Sequence, residues 1–176
     1  MPKPLIIKSE TVYKGFFDVK VDTLSLPGKE PIEYTSLIIA KEAAVILALT
    51  SGGQFLINRE YRHPTGRHLL SLPGGRVDAG ETPSETAKRE FEEETGYTAK
   101  EFLLLGTVYP FPAVCDQKIH YYFAKDAFLN GPAKKEPYEL IETLFMSLDE
   151  IYRRVSYGEA VDGVLFPALA FYSIKG

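Results

Sequence analysis

The sequence is poor in the features that direct a chain to an oxidising compartment or to a membrane. It has one cysteine, Cys115, so an internal disulfide is excluded. It has no run of 18 apolar residues, which excludes a membrane-spanning helix, and its opening residues MPKPLIIKSE lack the apolar core of a signal peptide. We therefore expect a cytoplasmic protein with no membrane partner.

Basic charge and histidine are also scarce. Twenty basic and 24 acidic side chains give a net charge of −4, so we expect no nucleic-acid partner bound through its phosphates. The histidines His63, His68 and His120 are too scattered for a metal site, and each is predicted to be a surface or hydrogen-bonded residue. A chain of 176 residues with 45% apolar side chains fits one globular domain with at most a small appendage.

The apolar pattern predicts an α+β fold with a mixed sheet. Three short antiparallel strands are predicted between about residues 12 and 39, and a two-stranded hairpin over 43–62. We divide the chain into an N-terminal β-strand subdomain, 1–42, and a main domain, 43–176. Further strands are predicted at Leu69–Leu72, where Pro73-Gly74-Gly75 ends the strand, and within residues 101–111, 118–129 and 140–148.

Three helices complete the prediction. Thr82 to Glu85 form a capping box with Pro83 at the first helical position, and Gly96 is a natural stop, so a helix should span roughly 83–95. A second capping box, from Ser147 to Glu150, opens a helix within residues 147–160. The closing helix lies within residues 164–174.

Four carboxylates crowd into REFEEETG, residues 89–96 of the first helix. At 100° per residue, Glu90, Glu93 and Glu94 fall within one arc beside the apolar strip, with no basic partner expected at helical spacing. Such carboxylates would raise their pKa values or bind a hard cation, and oxygen ligands suit Mg²⁺, which Mn²⁺ can replace. The alternative is a solvated acidic face.

The residues before the helix favour the cation. The glycine-rich segment GGRVDAGE can approach a ligand closely, and Mg²⁺ commonly joins carboxylates to substrate phosphate, so a phosphorylated substrate is expected. From Gly75 the chain reads five residues, Glu81, seven residues, Arg89-Glu90-Phe91, one residue, Glu93-Glu94, one residue, Gly96-Tyr97. This spacing matches the Nudix box at every defined position.

The chain thus resembles the Nudix hydrolases, especially the branch of ADP-ribose pyrophosphatases and nucleoside-diphosphate-sugar hydrolases. The similarity extends to VYKGFFDVKVDTLSLPGKE, AAVILAL and INREYRHPTGRHLLSLPGG. It implies an α/β/α sandwich, a nucleotide substrate, Mg²⁺ as cofactor and a homodimer built through the N-terminal strands.

The resemblance also implies roles for box residues. Glu90 and Glu94 correspond to metal ligands, and Glu93 to a ligand or to a group that positions the water on the metal. The Gly74 carbonyl corresponds to a backbone ligand.

Residues beside and beyond the box have implied roles as well. Glu81 and Arg89 correspond to an ion pair that holds the loop against the helix, and Arg62 to the arginine that binds the diphosphate, for which a forked donor is suited. The general base of this branch often lies late in the chain. In AKKEPYELIE we assign it to Glu139, with Glu136 as the alternative.

The resemblance predicts a metal-dependent hydrolase that cleaves a pyrophosphate bond to give a nucleoside monophosphate and a sugar phosphate. The strand IEYTSLI offers Tyr34 and no basic residue for base stacking and phosphate contact, which favours a nucleoside diphosphate sugar over ADP-ribose. Three alternatives stay open: another nucleotide substrate (a nucleoside triphosphate, a dinucleoside polyphosphate or coenzyme A), a non-catalytic nucleotide-binding regulator, and a structural metal helix.

Overall fold

Three antiparallel strands dominate the first of two compact units in the computed structural model, which describes residues 3–175. The strands are β1 (Leu5–Tyr13), β2 (Asp18–Ser25) and β3 (Ile32–Ile38), in the order β1-β2-β3. Three antiparallel strands are therefore present, and β2 and β3 lie within the predicted region, but β1 overlaps that region only at Val12 and Tyr13. Within this unit the Leu37 N–H donates to the Val114 carbonyl at 2.8 Å.

The first unit also includes Tyr109–Lys118, a segment that the sequence analysis assigned to the main domain. Two side-chain hydrogen bonds join this segment to β3 and the residue after it. The Tyr34 hydroxyl donates to the Ala113 carbonyl at 2.6 Å, and Asp116 accepts from the Ile39 N–H at 2.7 Å. The boundary between residues 42 and 43 and the role of the subdomain in dimerisation stay predictions.

A mixed sheet of eight strands forms the second unit, which spans Glu42–Val108 and continues from Ile119. The strands are β4 (Ala43–Thr50), β5 (Phe55–Arg62), β6 (Arg67–Ser71), β7 (Gly74–Arg76), β8 (Tyr97–Thr98), β9 (Phe102–Val108), β10 (Ile119–Leu129) and β11 (Ile141–Met146). Their spatial order is β11-β5-β4-β10-β8, with β6 beside β5, β7 beside β4 and β9 beside β10. The β4–β10 pair is parallel and the others are antiparallel.

Helices cover both faces of this sheet. The helix α1 (Pro83–Thr95) buries Ala87 and Phe91 in a cluster with the even-numbered side chains of β4. The helices α2 (Leu148–Ser156) and α3 (Leu165–Lys175) pack in the other cluster, with the odd-numbered side chains of β4. Alternate residues of a strand point to opposite faces, so β4 is buried on both sides. The predicted α+β sandwich is confirmed.

Local sequence explains where the helices begin and end. Thr82 accepts from the Glu85 N–H while Glu85 accepts from the Thr82 N–H, and Gly96 ends α1 at φ 75°, as predicted. At α2 only half of the predicted box forms. Ser147 accepts from the Glu150 N–H, but the Glu150 carboxylate binds Arg153 and Arg154 instead.

The turn Pro73-Gly74-Gly75, which was predicted only to end a strand, leads into β7. Gly74 pairs with Val45, and any side chain at Gly74 would collide with the Ala44 carbonyl. The prediction missed β7 because three residues carry no usable alternation and the pairing depends on a distant strand. Among the helices within residues 3–175, none is long and apolar enough to cross a membrane.

Candidate active site

The loop before α1 is fastened to the helix by the predicted ion pair. Arg89 Nε donates to Glu81 Oε1 at 2.8 Å, and Arg89 Nη2 donates to Glu81 Oε2 at 3.0 Å. Thr86 Oγ1 also donates to Glu81 Oε2 at 2.8 Å. Hydrogen bonds from Arg89 and then Thr86 lower the pKa of Glu81 to about 2.

The same guanidinium reaches two of the predicted metal ligands. Arg89 Nη1 donates to Glu90 Oε1 at 2.9 Å and to Glu93 Oε2 at 3.0 Å. The expectation that these carboxylates have no basic partner was therefore wrong. A guanidinium presents five N–H donors in a fork, so Arg89 can bind the loop through Nε and Nη2 and the helix through Nη1.

Glu94 is the most enclosed of the three carboxylates, with 4% of its surface exposed. Asn58 Nδ2 donates to Glu94 Oε2 at 2.7 Å, and the Gly74 N–H donates to the same oxygen at 3.3 Å. Burial raises the pKa of Glu94 to about 9, and the charges of Glu90, Glu60 and Glu139 add to the rise while the Gly74 N–H opposes it.

Glu90 lies against the glycine segment. Its carboxylate occupies the place where a side chain at Gly75 would project, so Gly75 cannot carry one without displacing Glu90. Burial raises the pKa of Glu90, the Arg89 charge and hydrogen bond lower it, and the charges of Glu93 and Glu139 raise it further. The absence of a side chain at Gly75 thus leaves the space that the Glu90 carboxylate occupies.

Glu139, the predicted general base, lies close enough to act electrostatically on this cluster. Its charge contributes to the raised pKa values of Glu60, Glu90 and Glu94. The Glu139 carboxylate accepts from the backbone N–H of Glu136 at 2.8 Å, which orients it. Glu136, the alternative base, contacts the Glu139 carboxylate through its own backbone N–H.

Arg62, the predicted diphosphate ligand, is held by two carboxylates. Its Nε donates to Asp162 Oδ2 at 3.0 Å and its Nη1 to Glu60 Oε1 at 2.5 Å, while 40% of the side chain remains exposed. Burial raises the pKa of Glu60, Arg62 opposes this, and Asp162 and Glu139 add to the rise. Arg62 is thus oriented, and its role toward a diphosphate stays a prediction.

Three residues of this neighbourhood were missed from the sequence: Asn58, Glu60 and Asp162. A signal existed for two of them, because Asn58, Glu60 and Arg62 alternate along β5 and so share one face of the sheet. Asp162 follows a loop 100 residues after Arg62, and no local pattern connects them.

Two cavities border the candidate catalytic carboxylates. One of about 400 Å³ lies at the end of α1, with Glu93 and Lys134 in its wall. Another of about 370 Å³ has Glu139, Arg59 and His68 in its wall. Each is large enough to hold part of a nucleotide-sized molecule.

The residues of the site fit a divalent cation by their chemistry. Within residues 3–175, no three carboxylate, imidazole or thiolate side chains are spaced as a finished metal site. Arg89 Nη1 lies between Glu90 and Glu93, and Glu94 turns to Asn58. The carboxylate and carbonyl groups nevertheless offer only oxygen ligands. Burial and then the charges of neighbouring carboxylates raise the pKa values of Glu90 and Glu94, and a hard cation would offset both effects.

This arrangement joins a glycine segment to a carboxylate helix, and a family comparison identifies it. The NUDIX domain matches residues 40–169. The chain belongs to the Nudix family. Together with the relatives described next, the match identifies a Nudix pyrophosphohydrolase.

Two curated relatives align over most of the chain. An ADP-ribose pyrophosphatase of Bacillus subtilis (strain 168) is 28% identical over 171 residues, covering 96% of this chain and 92% of the relative. The CMP-5'-(N-acetyl-N-hydroxy-3-aminopropyl)phosphonate hydrolase of Streptomyces rubellomurinus (strain ATCC 31215) is 35% identical over 162 residues, covering 92% and 78%.

A solved structure supports the Nudix fold independently. The crystal structure of an ADP compounds hydrolase superposes with a TM-score of 0.87 and 23% sequence identity, covering 99% of this chain and 94% of that chain. At this identity the likeness shows the fold alone.

Proposed function

We propose that this Nudix pyrophosphohydrolase is metal-dependent and cleaves the pyrophosphate bond of a nucleoside diphosphate sugar or of ADP-ribose. The products are a nucleoside monophosphate and a sugar phosphate. The name of the Bacillus subtilis relative supports ADP-ribose, and the name of the Streptomyces relative supports a substrate in which a cytidine nucleotide is linked to another group.

One observation carries the proposal: Glu94 is buried among like charges. A carboxylate with 4% exposure, beside Glu90, Glu60 and Glu139, is costly in a structural role, since a neutral side chain would fill the same space without repulsion. The arrangement is favourable when a cation shares the site. Mg²⁺, or Mn²⁺ in its place, would be held by Glu90, Glu93, Glu94 and the Gly74 carbonyl.

The bound cation would neutralise the diphosphate and lower the pKa of the attacking water. To join such a site, Glu93 has to exchange its 3.0 Å bond to Arg89 Nη1 for the cation. Arg89 stays in place during the exchange because Glu81 binds its Nε and Nη2. The ion pair thus keeps the loop and the helix in register while the carboxylates rearrange.

Two further residues act on the substrate. Arg62, fixed through Nε and Nη1, directs the remainder of its guanidinium to the diphosphate, which two-point donors recognise well. Glu139 takes a proton from the attacking water. Its contact with the Glu136 N–H and its place in the wall of a cavity suit a base that must meet both water and substrate.

The proposal is tested by product analysis in ¹⁸O-labelled water. The panel consists of nucleoside diphosphate sugars, ADP-ribose, cytidine-linked phosphonates, nucleoside triphosphates, a dinucleoside polyphosphate and coenzyme A, each with Mg²⁺ or Mn²⁺. We expect label in one of two phosphate products from a diphosphate sugar or ADP-ribose. Turnover confined to the other compounds would shift the substrate class, and nucleotide binding without turnover would favour a regulator.

A matched variant connects the chemistry to the helix. Glu93→Gln keeps the size of the side chain and its hydrogen bonding to Arg89, so the fold should persist while turnover collapses. Glu92→Gln, on the exposed side of the same helix turn, is the control. Equal rates for Glu93→Gln and the unmodified protein would contradict the assignment.

We also propose that the protein is a homodimer formed through the N-terminal strands. All nine residues of β1 are exposed, including the apolar Leu5, Ile6 and Ile7. Exposed apolar side chains on consecutive positions of a strand are typical of a surface that a second chain covers. Sedimentation equilibrium of the full chain should give twice its mass, and Ile6→Lys with Ile7→Lys should shift it to the monomer.

A further inference from the structure

A buried amide stands behind the most enclosed carboxylate of the site. Asn58, on β5, is fully buried, and its Nδ2 donates to Glu94 Oε2 at 2.7 Å. The other end of the amide is also bound. Thr143, its partner in register on β11, donates through Oγ1 to Asn58 Oδ1 at 3.3 Å. The hydroxyl therefore holds the amide in the orientation that presents N–H to Glu94.

Among the described residues, both hydrogen bonds to the Glu94 carboxylate end on one of its two oxygens. Oε2 accepts from Asn58 and from the Gly74 N–H, and each carboxylate oxygen has about two acceptor positions. Oε2 is thereby occupied. Oε1 is the oxygen that this geometry leaves for a cation.

We propose that Asn58, anchored by Thr143, is a positioning residue that fixes Glu94 as a ligand through Oε1 alone. The inference rests on the proposed function, because it requires that a divalent cation bind at Glu94. It adds a residue outside the Nudix box to the construction of the site.

The chemistry of an amide suits this role better than that of a charged or apolar residue. A lysine or arginine at residue 58 would neutralise Glu94 and compete with the cation, and leucine would leave Oε2 without one of its donors. Asparagine orients the carboxylate by a hydrogen bond and leaves its negative charge for the metal. Partners that orient a metal ligand typically contribute about 10- to 100-fold to metal affinity.

The neighbouring strand supplies a matched control. Ser71, on β6, is the register partner of Asn58 on the other side of β5, and it is also fully buried. Its Oγ has no hydrogen-bond partner among the described residues. Ser71→Ala therefore removes a buried polar group of the same sheet region without removing a bond to Glu94.

The test is calorimetric titration of Mn²⁺ into the metal-free protein, with no substrate present. We expect Asn58→Leu to weaken Mn²⁺ binding about 10- to 100-fold. Thr143→Val should weaken it in the same direction by less, and Ser71→Ala should leave it unchanged. With substrate, Asn58→Leu should raise the Mn²⁺ concentration needed for half-maximal rate more than it lowers the rate at saturating Mn²⁺.

The outcomes separate this inference from the proposed function. If the unmodified protein binds Mn²⁺ and Asn58→Leu binds it equally well, the positioning role is overturned and the proposed function stands. If the unmodified protein binds no Mn²⁺, both fall. Should circular dichroism show Asn58→Leu to be unfolded, the half-buried Thr143→Val decides, since unchanged affinity there would overturn the anchored amide.

Discussion

Arg89 and Glu81 are joined by two hydrogen bonds, Nε to Oε1 at 2.8 Å and Nη2 to Oε2 at 3.0 Å, across the loop that leads into α1. The pair connects the glycine segment to the carboxylate helix, so the geometry of the site depends on it. Arg89 uses its remaining nitrogen, Nη1, for Glu90 and Glu93. One guanidinium thus binds the loop through Glu81 and the helix through Glu90 and Glu93.

Acid should weaken the Glu81–Arg89 ion pair over a defined pH range. The pKa of Glu81 is lowered from 4.5 to about 2 by its bonds to Arg89 and Thr86. A lowered carboxyl pKa stabilises the folded state above the unfolded pKa, and that contribution is lost as the pH falls from about 4.5 through about 2. Urea unfolding should show Glu81→Gln less stable than the unmodified protein at neutral pH, with the difference vanishing near the lower limit. A difference that stays constant over this range would contradict the assignment.

Replacing the Arg89 guanidinium by a lysine ammonium should weaken the contact to Glu81 and the contact to the helix carboxylates. Lysine cannot present a fork to Glu81 and a further donor to Glu90 and Glu93 together. We expect Arg89→Lys to lower the free energy of unfolding by about 1–2 kcal/mol, because a charged hydrogen bond is lost at a partly exposed site. Turnover should fall as well. Chemical denaturation measures the first effect. Lys88→Arg, on the neighbouring residue, is the control and should change neither.

Replacing the buried carboxyl of Glu94 by an amide should stabilise the metal-free protein at neutral pH. The pKa of Glu94 is raised to about 9, so the folded state holds a proton that the unfolded chain releases, and stability falls as the pH rises from about 4.5 to about 9. Glu94→Gln escapes this cost and can still accept from Asn58, so its free energy of unfolding at neutral pH should rise by about 1–3 kcal/mol. Thermal unfolding in the presence of a metal chelator measures the difference in stability between Glu94→Gln and the unmodified protein.

The same variant should lose its response to metal. Added Mg²⁺ stabilises a protein that binds it only when folded, whereas Glu94→Gln lacks a ligand and should not respond. Glu92→Gln, at an exposed position, should respond as the unmodified protein does. A metal-induced shift of equal size in Glu94→Gln would show that the cation binds elsewhere.

The general base is tested by two glutamates of one loop. Glu139→Gln should lower kcat by about 10²- to 10⁴-fold without loss of fold, because a general base typically contributes that much. Glu136→Gln should have little effect, since its bond to Glu139 comes from its backbone N–H. Steady-state kinetics at saturating Mg²⁺ measures both variants. A larger loss in Glu136→Gln would exchange their roles.

Local signals made much of the fold predictable. The capping box from Thr82 to Glu85 and the glycine stop at Gly96 define α1 within the chain segment itself, and the structure has the same bounds. Strands of six or more residues were found by their apolar pattern, except β1, most of which precedes the predicted strand region. The short β7 and β8 were not found, since two or three residues carry no periodicity and gain stability only from strands far along the chain.

The site was predictable in its residue types and less so in its contacts. The box spacing identified Glu90, Glu93 and Glu94, but not that Arg89 binds two of them, because a fork with five donors can serve partners in several directions. Alternation along β5 could have placed Asn58 and Glu60 beside Arg62. Nothing local could have placed Asp162 there.

The sequence by itself determined the Nudix box, the helix that carries it and the surplus of carboxylates, because helix caps and helical spacing act over a few residues. Only the tertiary structure decided which carboxylate is buried and what orients it. Glu94 meets Asn58 from β5 and the Gly74 N–H from β7, and Thr143 from β11 holds the amide. Burial and electrostatic repulsion depend on three-dimensional neighbours, so the pKa of Glu94 is a property of the fold.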